Sequence, residues 1–300
     1  MNTQITIAGV SFKNPVMTAS GTFGSGMEYA EFVDLNTLGA VVTKGVANVP
    51  WEGNPTPRVQ ETYGGMLNAI GLQNPGVDVL IERDIPFLKQ FDTRIIVNVC
   101  GRTQADYVEV VEKLADQPVD MLEINVSCPN VKHGGIAFGQ DPKCLYDITK
   151  EIKKKARQPI IMKLSPNVTD IAEMARAAEA AGSDALSLIN TLTGMKIDIY
   201  KRCFALANKT GGLSGPAIKP IAVRMVYQVS TAVKIPIIGM GGIANAQDAI
   251  EFLMAGATGV AVGAMNFVNP YTTVEVVKGI EEYMEQQKIA NITDIIGCVR

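Results

Sequence analysis

The sequence has little charge and few of the residues that build metal sites or disulfide frameworks. Over 300 residues it carries 19% charged residues, one histidine and a formal net charge of −3. A small negative charge argues against a non-specific nucleic-acid surface. The five cysteines include no CxxC pair and follow no secretion signal. We therefore expect no zinc site, iron–sulfur cluster or disulfide framework in this chain.

Long apolar runs are also missing. No stretch approaches the ~18 uninterrupted apolar residues of a membrane helix, and the opening MNTQITIAGV lacks a basic region followed by an apolar one. We therefore expect a cytoplasmic protein that does not enter a membrane. Hydrophobic residues still make up 47% of the chain. Since α/β barrels of ~250 residues fold as one unit, we expect a single domain over 1–300.

Eight short apolar runs recur along the chain, each rich in β-branched residues and apolar on both faces, as buried parallel strands are. They lie at 16–20, 40–45, 94–101, 121–128, 159–166, 185–191, 236–242 and 259–265. Segments with helical spacing separate most of them, at 104–115, 141–156, 169–181, 216–232, 245–254 and 272–287. This alternation predicts an α/β fold, a TIM (β/α)8 barrel in which strand and helix repeat eight times. A doubly wound open sheet is the structural alternative.

The segments between the strands carry further signals. The opening ITIAGVSFKNP predicts a small N-terminal hairpin. Candidate N-cap and first-turn residues are Thr103, Asp141, Thr169, Asn245, Pro142 and Pro216. Three stretches are too long for plain turns and are predicted to be elaborated loops at the C-terminal face, namely 46–75, 127–140 and 192–215.

Polar residues gather where the apolar runs end. They are Ser20, Lys44, Asn98, Asn125, Cys128, Lys163, Asn190 and Thr191. An unsatisfied buried neutral group costs roughly 1–3 kcal/mol, and the chemistry of TIM barrels lies at the C-terminal ends of the strands. One such residue alone is explained by pairing at the barrel rim. The whole set predicts a ligand site.

The last two runs end in small residues, Gly241-Gly242 and Gly263-Ala264. Small residues let backbone N–H groups approach an anion closely, and the helix that follows adds its positive end. The loops after strands 7 and 8 are the usual phosphate grip of this fold. Together with Gly215 in GGLSGP, they predict a phosphorylated substrate or a nucleotide-like cofactor.

Five motifs together resemble the dihydroorotate dehydrogenase family, in order and over nearly the whole chain. They are NPTPR at 54–58, NAIGLQNPG at 68–76, NVSCPN at 125–130, GGLSGPAIKP at 211–220 and GMGGI at 239–243. TKGV, GMLNAIGLQNPG and GQDP are similar to class 1B, the NAD-linked form. The resemblance implies oxidation of dihydroorotate to orotate in de novo pyrimidine biosynthesis, with FMN in this chain. It also implies a partner subunit carrying FAD and a 2Fe–2S cluster, and a homodimer of this chain within a heterotetramer.

The resemblance also implies roles for individual residues, with Cys128 as the catalytic base. The implied FMN contacts are Ser20, Lys44, Gly45, Asn98, Asn125, Lys163, Ile189, Gly215, Gly241, Gly242, Gly263 and Ala264. The implied substrate contacts are Lys44, Asn68, Ala69, Ile70, Gly71, Leu72, Asn125, Asn190 and Thr191. Ala264 departs from relatives that have threonine there, so a hydroxyl is lost while backbone contacts to phosphate survive.

The chemistry of dihydroorotate oxidation fits these residue types. A proton leaves C5 and a hydride leaves C6 for flavin N5, so the protein must supply a base, a clamp and charge control. A thiolate can serve as the base. The single histidine, His133, lies in the glycine-bearing loop VKHGGIAFG, where a surface role is favoured. Cys128 is therefore the preferred base, Lys163 is expected beside the flavin, and Lys44 can pair with the substrate carboxylate.

Three other functions stay open on the sequence. A class 1A-like homodimer would reduce fumarate without a partner, and a dihydropyrimidine dehydrogenase-like flavoprotein would act on uracil. A phosphate-binding barrel without redox activity, such as a sugar-phosphate isomerase or a binding module, would be colourless when purified. A flavoprotein would be yellow.

Overall fold

The structure, a computed structural model, describes residues 1–126 and 138–299. Its strands are β1 (Ile5–Ile7), β2 (Val10–Phe12), β3 (Val16–Thr18), β4 (Ala40–Val42), β5 (Val59–Thr62), β6 (Gly65–Asn68), β7 (Arg94–Val99), β8 (Met121–Asn125), β9 (Ile160–Lys163), β10 (Ala185–Leu188), β11 (Leu192–Met195), β12 (Ile197–Asp198), β13 (Cys203–Phe204), β14 (Thr210–Ser214), β15 (Ile237–Met240) and β16 (Gly259–Val262). Its α-helices are α1 (Val77–Val79), α2 (Ile85–Leu88), α3 (Gln104–Leu114), α4 (Pro142–Lys155), α5 (Ile171–Ala180), α6 (Lys219–Ser230), α7 (Ala246–Met254) and α8 (Thr272–Gln286).

Each of the eight apolar runs contains one strand of a closed parallel barrel. The strands pair in chain order, β3, β4, β7, β8, β9, β10, β15 and β16, and β16 returns to pair with β3. A doubly wound sheet would leave two open edges. The predicted TIM barrel is therefore confirmed.

The N-terminal hairpin is confirmed as well, since β1 and β2 pair antiparallel. Its apolar side chains face the barrel: a Cβ placed on Gly259, the first residue of β16, would lie 3.4 Å from the side chains of both Ile5 and Ile7. Ile5, Ile7 and Phe12 are buried. The hairpin thus covers the end of the barrel at which the strands begin.

The strict alternation of strand and helix is wrong after the first barrel strand. Segment 19–39 contains a 3-10 turn at Leu35–Thr37 and no α-helix. Gly24 and Gly26 take positive φ angles of 55° and 96°, which a right-handed helix does not contain. The segment folds instead around a stacked aromatic pair, Phe23 and Tyr29, whose ring centres are 4.1 Å apart.

A helical stretch before β7 was absent from the sequence-based expectation. It consists of α1, a π-helical turn at Leu80–Asp84, and α2. The N–H of Ile85 bonds to the carbonyl of Leu80, five residues back, and the next residue, Pro86, has no N–H to donate. The π-helical turn interrupts the regular helical spacing of apolar residues. This explains why the sequence pattern of a helix is weak before β7.

Most helix starts follow the prediction, with one correction. Thr103, Asp141 and Asn245 each accept a backbone hydrogen bond as N-caps. Thr169 does not, because Asp170 caps α5 instead, accepting from the N–H groups of Ala172 and Glu173. A carboxylate there satisfies two unpaired donors and complements the positive helix end.

Two of the long loops carry regular structure. Strands β5 and β6 from 46–75 join β11 and β14 from 192–215 in one antiparallel sheet, in the order β11, β14, β6, β5. The prediction of elaborated loops is confirmed for these two, while most of 127–140 lies outside the described residues. No helix in the described ranges is both long and apolar enough to cross a membrane.

Candidate active site

A cavity of about 1070 Å³ lies where the barrel strands end, beneath the four-stranded sheet of the two loops. It is lined by these predicted site residues: Ser20, Lys44, Gly45, Asn68, Ala69, Ile70, Gly71, Leu72, Asn125, Lys163, Ile189, Asn190, Thr191, Gly215, Gly241, Gly242, Gly263 and Ala264. Two predicted residues are not among them. Asn98 is fully buried below the cavity, and Cys128 lies outside the described residues, as does His133.

A buried carboxylate organises the floor of this cavity. Glu123 on β8 is 1% exposed, and its Oε1 accepts a 2.6 Å hydrogen bond from Asn98 Nδ2 on β7. Its Oε2 accepts a 2.8 Å bond from Ser187 Oγ on β10. Lys163 Nζ on β9 stands 3.5 Å from Oε1, also buried. Four adjacent barrel strands therefore contribute to one buried polar cluster.

The carboxylate fixes which way the Asn98 side chain points. An ionised carboxylate accepts and does not donate, so the Asn98 NH2 group must face Glu123. Asn98 Oδ1 is then left buried without a hydrogen-bond partner among the described residues. A Cβ on Gly45 would lie 2.5 Å from that oxygen. Glycine at 45, which itself lines the cavity, makes room for this acceptor.

Lys44 stands in a different environment at the same end of the barrel. Burial lowers the pKa of its ammonium, Lys163 and Arg58 lower it further by repulsion, and Cys100 opposes the shift. Within the described ranges no carboxylate forms an ion pair with Lys44. A partly desolvated cation without an acidic partner favours an anionic ligand.

The glycine-rich end of the cavity is packed too closely for side chains. Gly215, Gly241 and Gly242 have φ angles of 106°, 125° and 82°. A Cβ on Gly242 would lie 2.8 Å from the carbonyl oxygen of Gly215 and 2.9 Å from the backbone nitrogen of Lys219, the first residue of α6. These residues thus form a close-packed backbone cradle at the start of α6, and the predicted phosphate site stays a prediction.

The NPTPR and NAIGLQ motifs form one structural unit at the cavity wall. Asn54 donates from its backbone N–H to the carbonyl of Ile70 and from Nδ2 to that of Ala69, both at 2.9 Å. Ala69 N–H donates to the carbonyl of Arg58 at 2.8 Å. Leu72 has a φ of 55°, uncommon for a residue with a side chain. The first motif therefore holds the second in the conformation that lines the cavity.

Asn167 positions the other predicted substrate segment and was missing from the predicted set. Its Nδ2 donates to the carbonyl of Thr191 at 3.0 Å, and its Oδ1 accepts from Thr193 N–H at 2.9 Å. This fixes the chain where it leaves Asn190. A signal was present in the sequence, because SPN follows the fifth strand as polar residues follow the others.

Glu123 and Ser187 were also missed. Both are polar residues inside apolar strands rather than at their ends. Alternation along a strand places Glu123 on the same face as Asn125, and the register sets it opposite Asn98. The side-chain period therefore places Glu123 on the same face as Asn125, but only the register reveals Asn98 as its neighbour.

A profile of the family described as dihydroorotate dehydrogenase matches residues 2–284. The chain belongs to the dihydroorotate dehydrogenase family. It is 73% identical, over the full length of both chains, to the protein of Lachnoclostridium phytofermentans named dihydroorotate dehydrogenase B (NAD(+)), catalytic subunit. A protein of the same name from Alkaliphilus oremlandii is 66% identical over 99% of this chain and 98% of its own. The family resemblance drawn from the five motifs is confirmed.

A solved structure supports the fold alone. The crystal structure of DHODH in complex with ferulenol from Eimeria tenella superposes with a TM-score of 0.83, covering 99% of this chain and 88% of the other at 24% identity. At this distance in sequence, the likeness shows a shared fold.

The close packing of the cradle predicts that alanine substitutions at two glycines with the same φ angle will reduce the stability of the protein by different amounts. Gly9 and Gly242 both have a φ of 82°, but a Cβ on Gly9 would meet nothing within 4 Å. Gly9→Ala should cost about 1–2 kcal/mol for the left-handed conformation, and Gly242→Ala roughly 1–3 kcal/mol more from overpacking. Urea unfolding of the two variants measures the difference. Equal losses would mean that the cradle relaxes freely around an added methyl group.

Proposed function

We propose that this chain binds FMN and oxidises dihydroorotate to orotate, and that it passes the electrons to a partner subunit. One observation carries the proposal: eighteen residues expected to contact FMN or substrate line a single cavity in a member of the dihydroorotate dehydrogenase family. The cavity combines a charged floor, a backbone cradle and a wall of amide side chains. These are the surfaces that a flavin phosphate, a flavin ring and a polar heterocycle require.

The residues present fit FMN in two respects. The buried Asn98 Oδ1 is an acceptor that no donor reaches within the described part of the chain, and the donor groups of a flavin would satisfy it. The cradle of Gly215, Gly241 and Gly242 leaves backbone rather than side chains at the surface, which suits a phosphate at the start of α6. Gly263 and Ala264 would complete that phosphate site, and Ser20, Gly45, Asn125 and Ile189 would contact the rest of the cofactor.

Bound FMN would supply the acceptor for the hydride that leaves C6 of dihydroorotate. This chain's own residues bind and orient the substrate. Lys44 would pair with its carboxylate, while Asn68, Asn125 and Asn190 offer the donors and acceptors that an imide edge needs. Lys163 would hold a positive charge at the cavity floor, where negative charge develops on reduction. The segment from Ala69 to Leu72, with Thr191, would shape the substrate pocket.

Cys128 is proposed as the base that takes the C5 proton. It follows β8, the strand that carries Glu123 and Asn125 into the cavity. In the sequence, Cys128 stands three residues after Asn125, which lines the cavity. A thiolate can accept a proton near neutral pH.

We further infer an electron-transfer partner that carries FAD and a 2Fe–2S cluster and reduces NAD. The names of the relatives support this, because they are called catalytic subunits of an NAD(+)-linked enzyme. Two copies of this chain would form a homodimer within a heterotetramer in the cytoplasm.

Purified alone and loaded with FMN, the chain should be yellow and should oxidise dihydroorotate with an artificial dye. NAD reduction should be negligible until the partner subunit is added, since electrons must leave the barrel through a second protein. Absorbance at the NADH band with and without the partner measures this. Full NAD-linked turnover by the isolated chain would contradict the inferred partner. Rapid fumarate reduction by the isolated chain would favour the class 1A alternative.

Replacing the proposed base should separate binding from chemistry. Cys128→Ser should keep FMN and orotate binding but slow flavin bleaching by dihydroorotate ~10²-fold or more near neutral pH, because a serine hydroxyl is a far weaker base. Rapid mixing with anaerobic detection of the flavin band measures the rate. Cys144→Ser, a change in α4 away from the cavity lining, is the matched control. Bleaching at the wild-type rate in Cys128→Ser would remove the thiol from the mechanism.

Lys44 should make orotate binding pH-dependent. Its pKa is lowered from the ordinary lysine value, chiefly by burial, and an anionic ligand favours the protonated form. Orotate affinity should therefore be constant below the free-state pKa of Lys44 and fall by up to about tenfold per pH unit above it.

The decline in orotate affinity should begin at a pH below the usual pKa range of a lysine side chain. Lys44→Met should bind orotate weakly with little pH dependence, while Lys44→Arg, whose charge persists, should extend the plateau to higher pH. Titration calorimetry across pH gives the three profiles. The same decline in Lys44→Met as in the wild type would assign the dependence to another group.

A further inference from the structure

The buried carboxylate of Glu123 has no role in the reaction as proposed so far. It lies on β8 inside the barrel, 1% exposed, and does not line the cavity. An isolated ionised carboxylate in such a place is costly, so its retention requires compensation by charge and hydrogen bonds. Lys163, Asn98 and Ser187 supply that compensation from three neighbouring strands.

Two of these partners are the residues expected to meet the flavin from below. Asn98 gives its NH2 group to Glu123 at 2.6 Å, and this leaves its carbonyl oxygen as the buried acceptor beneath Gly45. The Lys163 ammonium stands 3.5 Å from the same carboxylate oxygen, close enough for the carboxylate to offset its charge. The orientation of the Asn98 amide and the net charge around the Lys163 ammonium thus both depend on the Glu123 side chain.

We propose that Glu123 is a positioning residue that orients the Asn98 amide and offsets the Lys163 charge beneath the bound flavin. This inference rests on the proposed function, since it concerns how the floor acts on FMN. Without the carboxylate, the floor would lose a negative charge that stands 3.5 Å from the Lys163 ammonium. Glu123 therefore limits how strongly the site favours reduced over oxidised flavin.

Glu123→Gln tests the charge with little change in shape. The glutamine Oε1 can still accept from Asn98 and Lys163, and its NH2 group can donate to Ser187 Oγ, which has lone pairs to accept it. Each group keeps a partner while the negative charge is gone. The Kd for oxidised FMN divided by that for reduced FMN should then rise about tenfold, as expected for one charge removed at short range in a partly buried site. Lys163→Gln should change the ratio in the opposite direction.

Asp184→Asn is the matched control. Asp184 also pairs with a lysine, Lys153, and accepts from the Ile160 N–H, but it stands where β9 and β10 begin, at the opposite end of the barrel. In Asp184→Asn, the ratio of the Kd for oxidised FMN to that for reduced FMN should stay at the wild-type value. The proposal would be overturned if the ratio of the two FMN Kd values in Glu123→Gln stayed within about twofold of the wild type. It would also be overturned if Glu123→Gln and Lys163→Gln changed that ratio in the same direction.

A measurement without flavin separates this inference from the proposed function. Lys163→Gln leaves the Glu123 charge buried without its cation, so the flavin-free protein should melt lower than the double variant Glu123→Gln/Lys163→Gln, which buries neither charge. A double variant that melts no higher would overturn the coupling. Wild-type protein that bound no FMN would defeat the proposed function, whereas the melting comparison would still decide whether Glu123 and Lys163 act together. The double variant also serves if Glu123→Gln alone does not fold.

Discussion

The polar floor depends on one constraint, that a carboxylate buried inside a parallel barrel must be compensated by its neighbours. Glu123 cannot reach water, so Asn98, Lys163 and Ser187 must be at the same depth on adjacent strands. Closure of the barrel makes this possible, because each strand has a neighbour on both sides and the register is fixed by pairing. The same bonds that satisfy Glu123 hold the Asn98 oxygen and the Lys163 ammonium in place. The same contacts therefore stabilise the core and orient the polar groups of the site.

The loops around the cavity depend on a different interaction, in which asparagine side chains satisfy backbone carbonyl and N–H groups. Asn54 clamps the segment that follows β6, Asn74 accepts from Ala47 and Gly76 N–H, and Asn167 holds the chain after β10. An amide both donates and accepts, so one side chain can close two ends of an irregular loop. Long loops then gain defined shape from these bonds as well as from two small apolar clusters that contain Trp51 and Leu67. This explains why asparagine recurs in the loops that line the cavity.

The sequence was sufficient for the barrel and for most of the cavity lining, because both follow from strand period and strand order. Apolar runs located all eight strands, and the residues at their ends face one cavity because parallel strands end on the same side. What it did not reveal were features set by local competition or by register. Asp170 rather than Thr169 caps α5 because the carboxylate reaches two N–H groups, and the break at Gly24 and Gly26 removes a helix that alternation alone demanded. Glu123 was overlooked because it lies within a strand, where its significance appears only once Asn98 is known to be its neighbour.

Lys44 and Lys163 lie at the same end of the barrel, and their different surroundings suit them to different roles. Lys163 has the Glu123 carboxylate at 3.5 Å, so together they add little net charge. Lys44 has no carboxylate partner among the described residues, and burial with repulsion from Lys163 and Arg58 lowers its pKa. An anionic ligand relieves that unfavourable environment, whereas near Lys163 an added anion would also meet Glu123. Under the proposed function, these electrostatics would direct the substrate carboxylate toward Lys44 and leave Lys163 for a group whose negative charge appears only during the reaction. One cavity would then hold an anionic substrate and an electron acceptor side by side.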